Sequence, residues 1–328
     1  MKRISALTIA AGRADHLANV VRGLTEQRLC PDELVIGLMQ DAPYDDLPDA
    51  PFEIRQVPVP DGAPALAGAR NAAAHAATGD VLVFLDVDCI PHPELIADYA
   101  ASVTAAPGVH MGEVMYLPQG ATDGATENGI DWVRFDRLAE RHPDRGKPPR
   151  WGRAACDDYR CFWSLNFAMS AADWRASGGF DERYRGYGGE DTDFGRTVAE
   201  QGQPIWWLKG AKVYHQHHAH CMPPIHHLRS VIRNADLFAE KWGHRTMEHW
   251  LYGFELMGLI EKRPEGIVVL REPGEEDFAL CRQQTAPYAT TRRVLDILQG
   301  IDPRTVDNRS RTREVHAAQS RLTDVAAE

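Results

Sequence analysis

Residues 84–91 read FLDVDCIP, and they join a strand-like apolar run to two aspartates, Asp86 and Asp88. The run VLVFL at 81–85 is short, β-rich and unalternating, which predicts a strand buried on both faces. Pro91 is expected to end this strand, because proline has no backbone N–H to donate to a neighbouring strand. Side chains two residues apart on a strand point the same way, so the two carboxylates are expected to converge at its tip.

Converging carboxylates repel each other and are costly to bury. A divalent cation removes that conflict, and oxygen ligands of this kind suit Mg²⁺ or Mn²⁺. A nucleotide diphosphate would complete the coordination of the cation. The alternative is that one aspartate caps a turn and the other is solvated, because a short D-x-D sequence often arises by chance.

The composition limits the classes of function. The chain has 328 residues and a net charge of -11, which argues against non-specific binding to nucleic acid or to an anionic membrane. No apolar run approaches the roughly 18–20 residues of a membrane span, and the N-terminus does not resemble a signal peptide. The six cysteines are scattered, so we expect reduced thiols and a cytoplasmic protein without a transmembrane segment.

Strand and helix signals alternate through the first third of the chain. Strands are predicted at 4–12, 32–41, 52–59 and 81–85, and helices at 15–27 and 67–80, the second with Gly79 at its C′ position. The alternation predicts an α/β fold with a mostly parallel sheet flanked by helices. Ligands bind beyond the carboxyl ends of such strands, where residues 11–13, Asp41 and the two aspartates are expected.

A second informative segment covers residues 164–202 and contains GGFDERYRGYGGEDTDF. It predicts a strand at 166–170, a helix closed by two glycines, a glycine-rich loop and a helix beginning at Glu190. Acidic residues in a first helical turn are explained by the helix dipole. They are also suited to catalysis, because transfer to a hydroxyl needs a carboxylate that takes its proton.

Six of the 14 histidines lie in the run VYHQHHAHCMPPIHH at 213–227. Most are expected to be solvated or packed, although imidazole is the commonest nitrogen ligand of metals. A separate zinc site that includes Cys221 is a further alternative. Residues 118–160 are polar and predict a long insertion with a short helix near 130–141, which serves either as a lid or acceptor loop or as a surface excursion.

The ordered motifs GARNAAAHAATGDVLVFLDVDCIP and GGFDERYRGYGGEDTDF resemble those of the inverting family 2 glycosyltransferases of the GT-A fold. The second motif is similar to the C-terminal part of the β-1,4-galactosyltransferase-like enzymes, with Tyr187 where those enzymes carry tryptophan. The resemblance covers roughly residues 3–260. It implies a GT-A domain at 1–262, with a nucleotide-sugar half (1–105), an acceptor half (106–224) and C-terminal helices (225–262). Residues 263–328 would be a C-terminal extension that ends in a mobile tail.

The resemblance implies a metal-dependent inverting hexosyltransferase. The donor would be a nucleotide diphosphate sugar, with UDP favoured, and the acceptor a hydroxyl of a glycan or small molecule. Asp191 would be the base and Glu190 would bind sugar hydroxyls. Asp88 and His215 would hold Mn²⁺ (or Mg²⁺), with His217 or His218 as alternatives to His215, and Asp86 would bind the nucleotide ribose or the metal through water. The nucleotide-sugar contacts would be Ala11, Gly12, Arg13, Asp41, Arg70, Asp86, Val87 and Asp88, and the acceptor contacts Trp163, Tyr187, Gly188 and Gly189.

Two other functions fit parts of the sequence. A nucleotidyltransferase of related fold would need a glycine- and lysine-rich loop after the first strand, and AAGRADH at 10–16 is a poor version of one. A non-catalytic sugar-binding or scaffold protein would keep the fold but would have little use for Asp191.

Overall fold

The computed structural model describes residues 2–59, 65–126, 129–283 and 287–300. The strands are β1 (Ile4–Ala10), β2 (Glu33–Leu38), β3 (Glu53–Pro58), β4 (Val81–Asp86), β5 (Cys89–Pro91), β6 (Val109–Met111), β7 (Val114–Tyr116), β8 (Glu140–Arg141), β9 (Arg153–Ala155), β10 (Asn166–Ser170), β11 (Ile205–Leu208), β12 (Val213–His215), β13 (His220–Cys221), β14 (Ile260–Arg263), β15 (Gly266–Val269) and β16 (Arg282–Gln283). The helices are α1 (Ala14–Thr25), α2 (Leu66–Ala76), α3 (Leu95–Ala105), α4 (Trp132–Leu138), α5 (Ala171–Ser177), α6 (Glu190–Glu200), α7 (Leu228–Trp242), α8 (Glu248–Leu256), α9 (Glu275–Cys281) and α10 (Thr291–Leu298).

The central sheet has eight strands in the order β3-β2-β1-β4-β10-β6-β11-β9. Strands β3, β2, β1 and β4 are parallel, whereas β10 lies antiparallel between β4 and β6. Every residue of β1 is buried, as expected for a strand covered on both faces. The predicted α/β class with a largely parallel sheet is therefore confirmed, and the parallel half is the part that the sequence pattern described.

Neighbouring strand residues send their side chains to opposite faces of this sheet, and each face carries its own core. Leu17 of α1 and Tyr99 of α3 pack on the face that receives Val83. Phe194 of α6 packs on the other face with Leu82. Each fully buried side chain of this kind contributes roughly 1.5–3 kcal/mol, so the two cores hold the helices that carry the site residues.

The prediction that Pro91 ends the aspartate-bearing strand is wrong. Strand β4 ends at Asp86, residues 87 and 88 form a turn, and the chain then enters β5 in a second sheet of order β5-β12-β7-β8. Pro91 is itself paired there, opposite Val213 of the antiparallel strand β12. The same register places Cys89 opposite His215, which brings the second aspartate to the histidine run.

The predicted C′ role of Gly79 is also wrong. Helix α2 ends at Ala76, and Ala77 continues in an extended conformation. Gly79 is instead needed for close packing, because a Cβ at this position would lie 2.6 Å from the hydroxyl oxygen of Ser5. The glycine therefore allows the chain to pass close to β1.

The chain divides into two compact units. Among the described residues, the first comprises those up to 220, 226–248 and 283–288, and the second comprises 221–225, 249–282 and 289–300. In the second unit β14 and β15 form an antiparallel pair, and α10 lies near the end of the described residues. Helix α9 was missed, and the predicted tail at 302–328 lies outside the described residues. In the part of the chain that the structure describes, no helix has the length and apolar character needed to cross a membrane.

Candidate functional site

Asp88 and two histidines form the one group in the described residues whose side chains are arranged to hold a metal ion. Asp88 Oδ1 lies 3.4 Å from His215 Nε2, and Asp88 Oδ2 lies 3.5 Å from His218 Nε2. One ligand atom from each of the three residues lies within 4.8 Å of the others. Asp88 and His215 are buried, whereas His218 is partly exposed.

This triad fits a divalent cation by its spacing and by its chemistry. Two ligand atoms that each bind one cation at about 2.1 Å in a tetrahedral arrangement lie about 3.4 Å apart. Burial lowers the pKa of His215 to about 4, so its imidazole is neutral at pH 7 and keeps a lone pair for a metal. One carboxylate and two imidazoles suit a transition metal such as Mn²⁺.

The triad is held in place by neighbours that carry no sequence signal of their own. The backbone N–H of Gln216 donates to the carbonyl oxygen of Asp88 over 2.7 Å. The Gln216 side chain accepts from Asn19 over 2.8 Å and donates to the His16 carbonyl over 3.0 Å. The Tyr116 ring stacks on His215 with ring centroids 4.7 Å apart. These contacts fix the end of β12 against helix α1.

Arg13, one of the predicted nucleotide-sugar residues, forms an ion pair with the triad. It precedes α1 in the left-handed backbone region, with φ of 49°. Its Nη1 lies 2.5 Å from Asp88 Oδ2, and its side chain is 40% exposed, so it can leave the carboxylate when another cation arrives. Gly12 donates its backbone N–H to Gln40, Val87 is buried in the turn, and Ala11 and Asp41 are exposed.

Asp86 does not join the metal triad. The expected convergence of the two aspartates fails, because Asp88 lies in the turn and no longer follows the alternation of the strand. Asp86 Oδ1 instead accepts a hydrogen bond from Arg70 Nη2 over 3.0 Å. Arg70 Nη1 lies 3.4 Å from Glu190 Oε1, so this buried arginine connects the D-x-D segment to the G-G-E-D segment.

The carboxylates around Arg70 are in a setting that favours their protonated forms. Burial, and next the nearby charge of Asp191, raise the pKa of Glu190 to about 7. Burial also raises the pKa of Asp191, although Arg70 opposes the change. Asp191 accepts a backbone hydrogen bond from Thr192 over 2.7 Å and another from Ser164. A half-buried carboxylate with a raised pKa is suited to take a proton from a hydroxyl.

The glycine-rich loop before α6 is held by two asparagines that the sequence analysis missed. Asn71, the neighbour of Arg70 on α2, accepts from the backbone N–H of Phe180 and donates to its carbonyl, both over 2.9 Å. Asn234 on α7 donates to the Gly188 carbonyl over 2.7 Å. Gly188 and Gly189 have φ of 88° and 93°, which confirms the need for glycine in this loop.

The two aromatic candidates occupy different surroundings. The Tyr187 ring stacks on His227 with centroids 4.8 Å apart. Trp163 lies against His142 and Arg145, and it immediately precedes Ser164, whose backbone contacts Asp191. Both therefore lie beside segments that position the Glu190–Asp191 pair.

The raised pKa of Glu190 predicts a pH-dependent contribution to stability. The folded state keeps the Glu190 proton up to about pH 7, whereas the ordinary value is 4.5, so this group destabilises the fold increasingly as the pH rises between these values. The free energy of unfolding of wild type minus that of Glu190→Gln should fall across this window, by at most about 3 kcal/mol. Denaturant unfolding of both proteins at pH 5 to 7.5 measures the difference. Buried neutral histidines such as His215 give the opposite slope, but both proteins share them. A difference that stays flat or rises with pH would contradict the prediction.

Family models match both halves of this site. Residues 5–120 match the model described as glycosyl transferase family 2. Residues 155–220 match the model described as the N-terminal domain of galactosyltransferase. The first match contains the D-x-D segment, and the second contains the G-G-E-D segment and His215. The resemblance inferred from the motifs is confirmed.

Curated relatives and a solved structure agree with these matches. Validoxylamine A glucosyltransferase of Streptomyces hygroscopicus subsp. limoneus is 27% identical over 209 residues, covering 56% of this chain and 44% of the relative. The enzyme of the same name from subsp. jinggangensis (strain 5008) is 30% identical over 161 residues, covering 43% of this chain and 36% of the relative. The chain thus spans less than half the length of these relatives. The crystal structure of GalNAc-T7 with UDP, GalNAc and Mn²⁺ has a TM-score of 0.54 at 15% identity, covering 78% of this chain and 51% of that one. At that identity the likeness shows the fold alone.

Proposed function

We propose that this chain, which belongs to the family 2 glycosyltransferases and has the GT-A fold, moves a sugar from a nucleotide diphosphate sugar to an acceptor hydroxyl with inversion. The observation that carries the proposal is the position of Arg70 between Asp86 and Glu190. It joins residues 1–105, the proposed donor half, to residues 106–224, the proposed acceptor half. A leaving diphosphate beside Asp88 and a base at Asp191 would then share one site.

The nucleotide sugar would be bound through a metal ion and arginines. Asp88, His215 and His218 would hold Mn²⁺ or Mg²⁺, and the bound ion would act as a Lewis acid that neutralises charge on the diphosphate. Arg13 is exposed enough to turn from Asp88 towards a phosphate oxygen. The UDP and Mn²⁺ bound in the GalNAc-T7 structure support a UDP-linked donor. Contacts of Ala11, Gly12 and Asp41 with the nucleotide stay predictions.

In the acceptor half Asp191 would take the proton of the attacking hydroxyl. The acceptor oxygen forms its bond to the anomeric carbon, the bond from that carbon to the diphosphate oxygen breaks, and the proton passes to the Asp191 carboxylate. Asp191 suits this role better than Glu190, because Glu190 is buried and bonded to Arg70 whereas Asp191 is half-exposed. A single displacement of this kind needs one base and inverts the anomeric centre.

A donor screen tests the proposal. The full chain is incubated with Mn²⁺ and a panel of nucleotide sugars. Hydrolysis is measured by mass spectrometry, and the thermal shift is measured by melting. Selective stabilisation by one UDP-sugar, with release of UDP, is the expected result. Formation of pyrophosphate from a nucleoside triphosphate and a sugar phosphate would instead establish a nucleotidyltransferase. Absence of both reactions and of any nucleotide-dependent shift would favour a non-catalytic protein.

The proposed metal ligands can be separated from the other histidines of the run. His215→Ala and His218→Ala should each raise the Mn²⁺ concentration needed for half-maximal activity at least tenfold, because each removes one of three protein ligands. His226→Ala is the matched control, since His226 is an exposed histidine of the same run outside the triad. Manganese titrations of the three variants and wild type give the comparison. Equal, small effects in all three variants would show that the run has no special ligand.

A further inference from the structure

Arg145 is a buried arginine whose two terminal guanidinium nitrogens have no hydrogen-bond partner among the described residues. The residue is 8% exposed, and its Nη1 and Nη2 donate no hydrogen bond. An unpaired buried cation is costly, because its hydration is lost without a compensating charge. Burial accordingly lowers the pKa of Arg145. An anion bound next to the guanidinium would remove this cost.

Two indole rings lie beside the guanidinium. Its central carbon lies 5.6 Å from the centroid of the Trp163 ring and 5.7 Å from that of Trp207. Gly146 allows this approach, because a Cβ there would lie 2.5 Å from the Trp207 ring. Cation–π contacts contribute about 0.5–2 kcal/mol each, but they satisfy none of the N–H donors. The arginine is therefore oriented but not neutralised.

Glu113, the carboxylate that lines the same cavity, is already paired with other groups. Arg145 and Glu113 both line a small cavity of about 10 Å³, which has room for about one water. Glu113 is bonded to Arg141, lies 2.8 Å from Lys209 Nζ and accepts from the backbone N–H of Gly210. The positive charge of Arg145 is the one that these contacts leave without an anion.

Trp163 connects Arg145 to the proposed acceptor side of the candidate site. Trp163, one of the two rings beside it, is followed by Ser164, whose backbone contacts Asp191. Arg13 and Asp88, by contrast, lie at the proposed donor side. We propose that Arg145 binds an oxyanion of the acceptor, so that the preferred acceptor carries a carboxylate or a phosphate. This inference rests on the proposed function and names its substrate class.

An acidic acceptor needs more room than the cavity offers. Residues 142–150 contain neither helix nor strand, so this segment can shift outward with little loss of backbone hydrogen bonding. The incoming oxygens would then meet the Nη1 and Nη2 donors of Arg145. A hydrogen bond to a charged group is worth enough to give about a 10- to 100-fold preference over a neutral acceptor.

The test compares acceptors that differ in one group. Methyl glucuronide is paired with methyl glucoside, and glucose 6-phosphate with glucose. The full chain is titrated calorimetrically with each in the presence of Mn²⁺ and UDP, and kcat/KM is measured with the donor. Wild type should favour the acidic member of a pair about 10- to 100-fold, and Arg145→Met should reduce the ratio to near one. The ratio within one protein is independent of how much of a variant folds. Arg145→Lys should keep part of the preference, since it keeps the charge.

Arg150→Met is the matched control, because Arg150 is an exposed arginine of the same segment that lies over the Trp151 ring. It should keep the wild-type ratio.

The carboxylate and phosphate pairs show which oxyanion the site takes. Inorganic phosphate, followed by thermal shift, probes the site without a sugar. Equal binding of acidic and neutral members, or no response of wild type to any of these anions, would overturn the inference. Weaker UDP binding by Arg145→Met with no acceptor preference would assign Arg145 to the donor diphosphate and would also overturn it. Calorimetry measures acceptor binding without turnover. A failure of the proposed transfer reaction would therefore be seen separately from a failure of acceptor binding.

Discussion

Asp191→Asn should lower sugar transfer by about 10²–10⁴-fold, because general-base steps typically contribute that much. Asparagine has nearly the shape of aspartate but cannot take the acceptor proton. Asp191 is half-buried beside Arg70, and the metal triad is formed by other residues. Donor and metal affinity should therefore change little. Turnover assays beside calorimetric titration of the UDP-sugar separate the two effects.

Glu190→Gln is the informative comparison for that variant. Glu190 contacts Arg70, which also contacts Asp86, so its replacement should weaken sugar binding as well as the rate. If both acids served only the helix dipole, each variant would lose roughly 0.3–1 kcal/mol of stability and keep normal turnover per folded molecule. A folded Asp191→Asn protein with near wild-type transfer would end the assignment of Asp191 as the base.

Asp88→Ala should abolish metal-dependent turnover. Asp88 supplies the only carboxylate of the triad, and without it the two imidazoles would have to hold a divalent cation with no protein anion. The charge on the leaving diphosphate would then be poorly compensated. Arg13 would also lose its ion-pair partner. Activity measured over a wide range of Mn²⁺ concentrations should show no recovery, whereas His218→Ala should recover in part at high Mn²⁺.

Direct metal titration by calorimetry controls for misfolding of Asp88→Ala. Removal of the metal from wild type should have the same effect as the substitution, and added Mn²⁺ should restore wild type alone. Undiminished activity of Asp88→Ala, or full wild-type activity in excess EDTA, would show that transfer does not use this triad.

Local pattern in the sequence was sufficient for much of the fold. The strands β1 and β4 were predicted because continuous apolar runs of that length bury both faces. Strand β10 followed from its short apolar run, and the start of α6 followed from the glycines that precede it. The aspartate of the metal triad was found in the same way, because carboxylates at the end of a buried strand stand out from their neighbours, whereas the choice of Asp191 as the base came from the resemblance to the glycosyltransferases. These features depend on residues that are close together in the chain.

Only the tertiary structure decided which side chains meet. The turn at residues 87–88 sends Asp88 to His218 and leaves Asp86 to Arg70, although both aspartates share one short motif. Asn234 holds a loop that lies 46 residues earlier in the chain, at Gly188, and no periodicity marks it. Arg145 looked like one more charge in a polar insertion, yet it is buried and lies beside two indoles. Hydrophobic periodicity reports which face of an element is buried, but the partner of a polar side chain depends on how distant elements pack, and that information is not local.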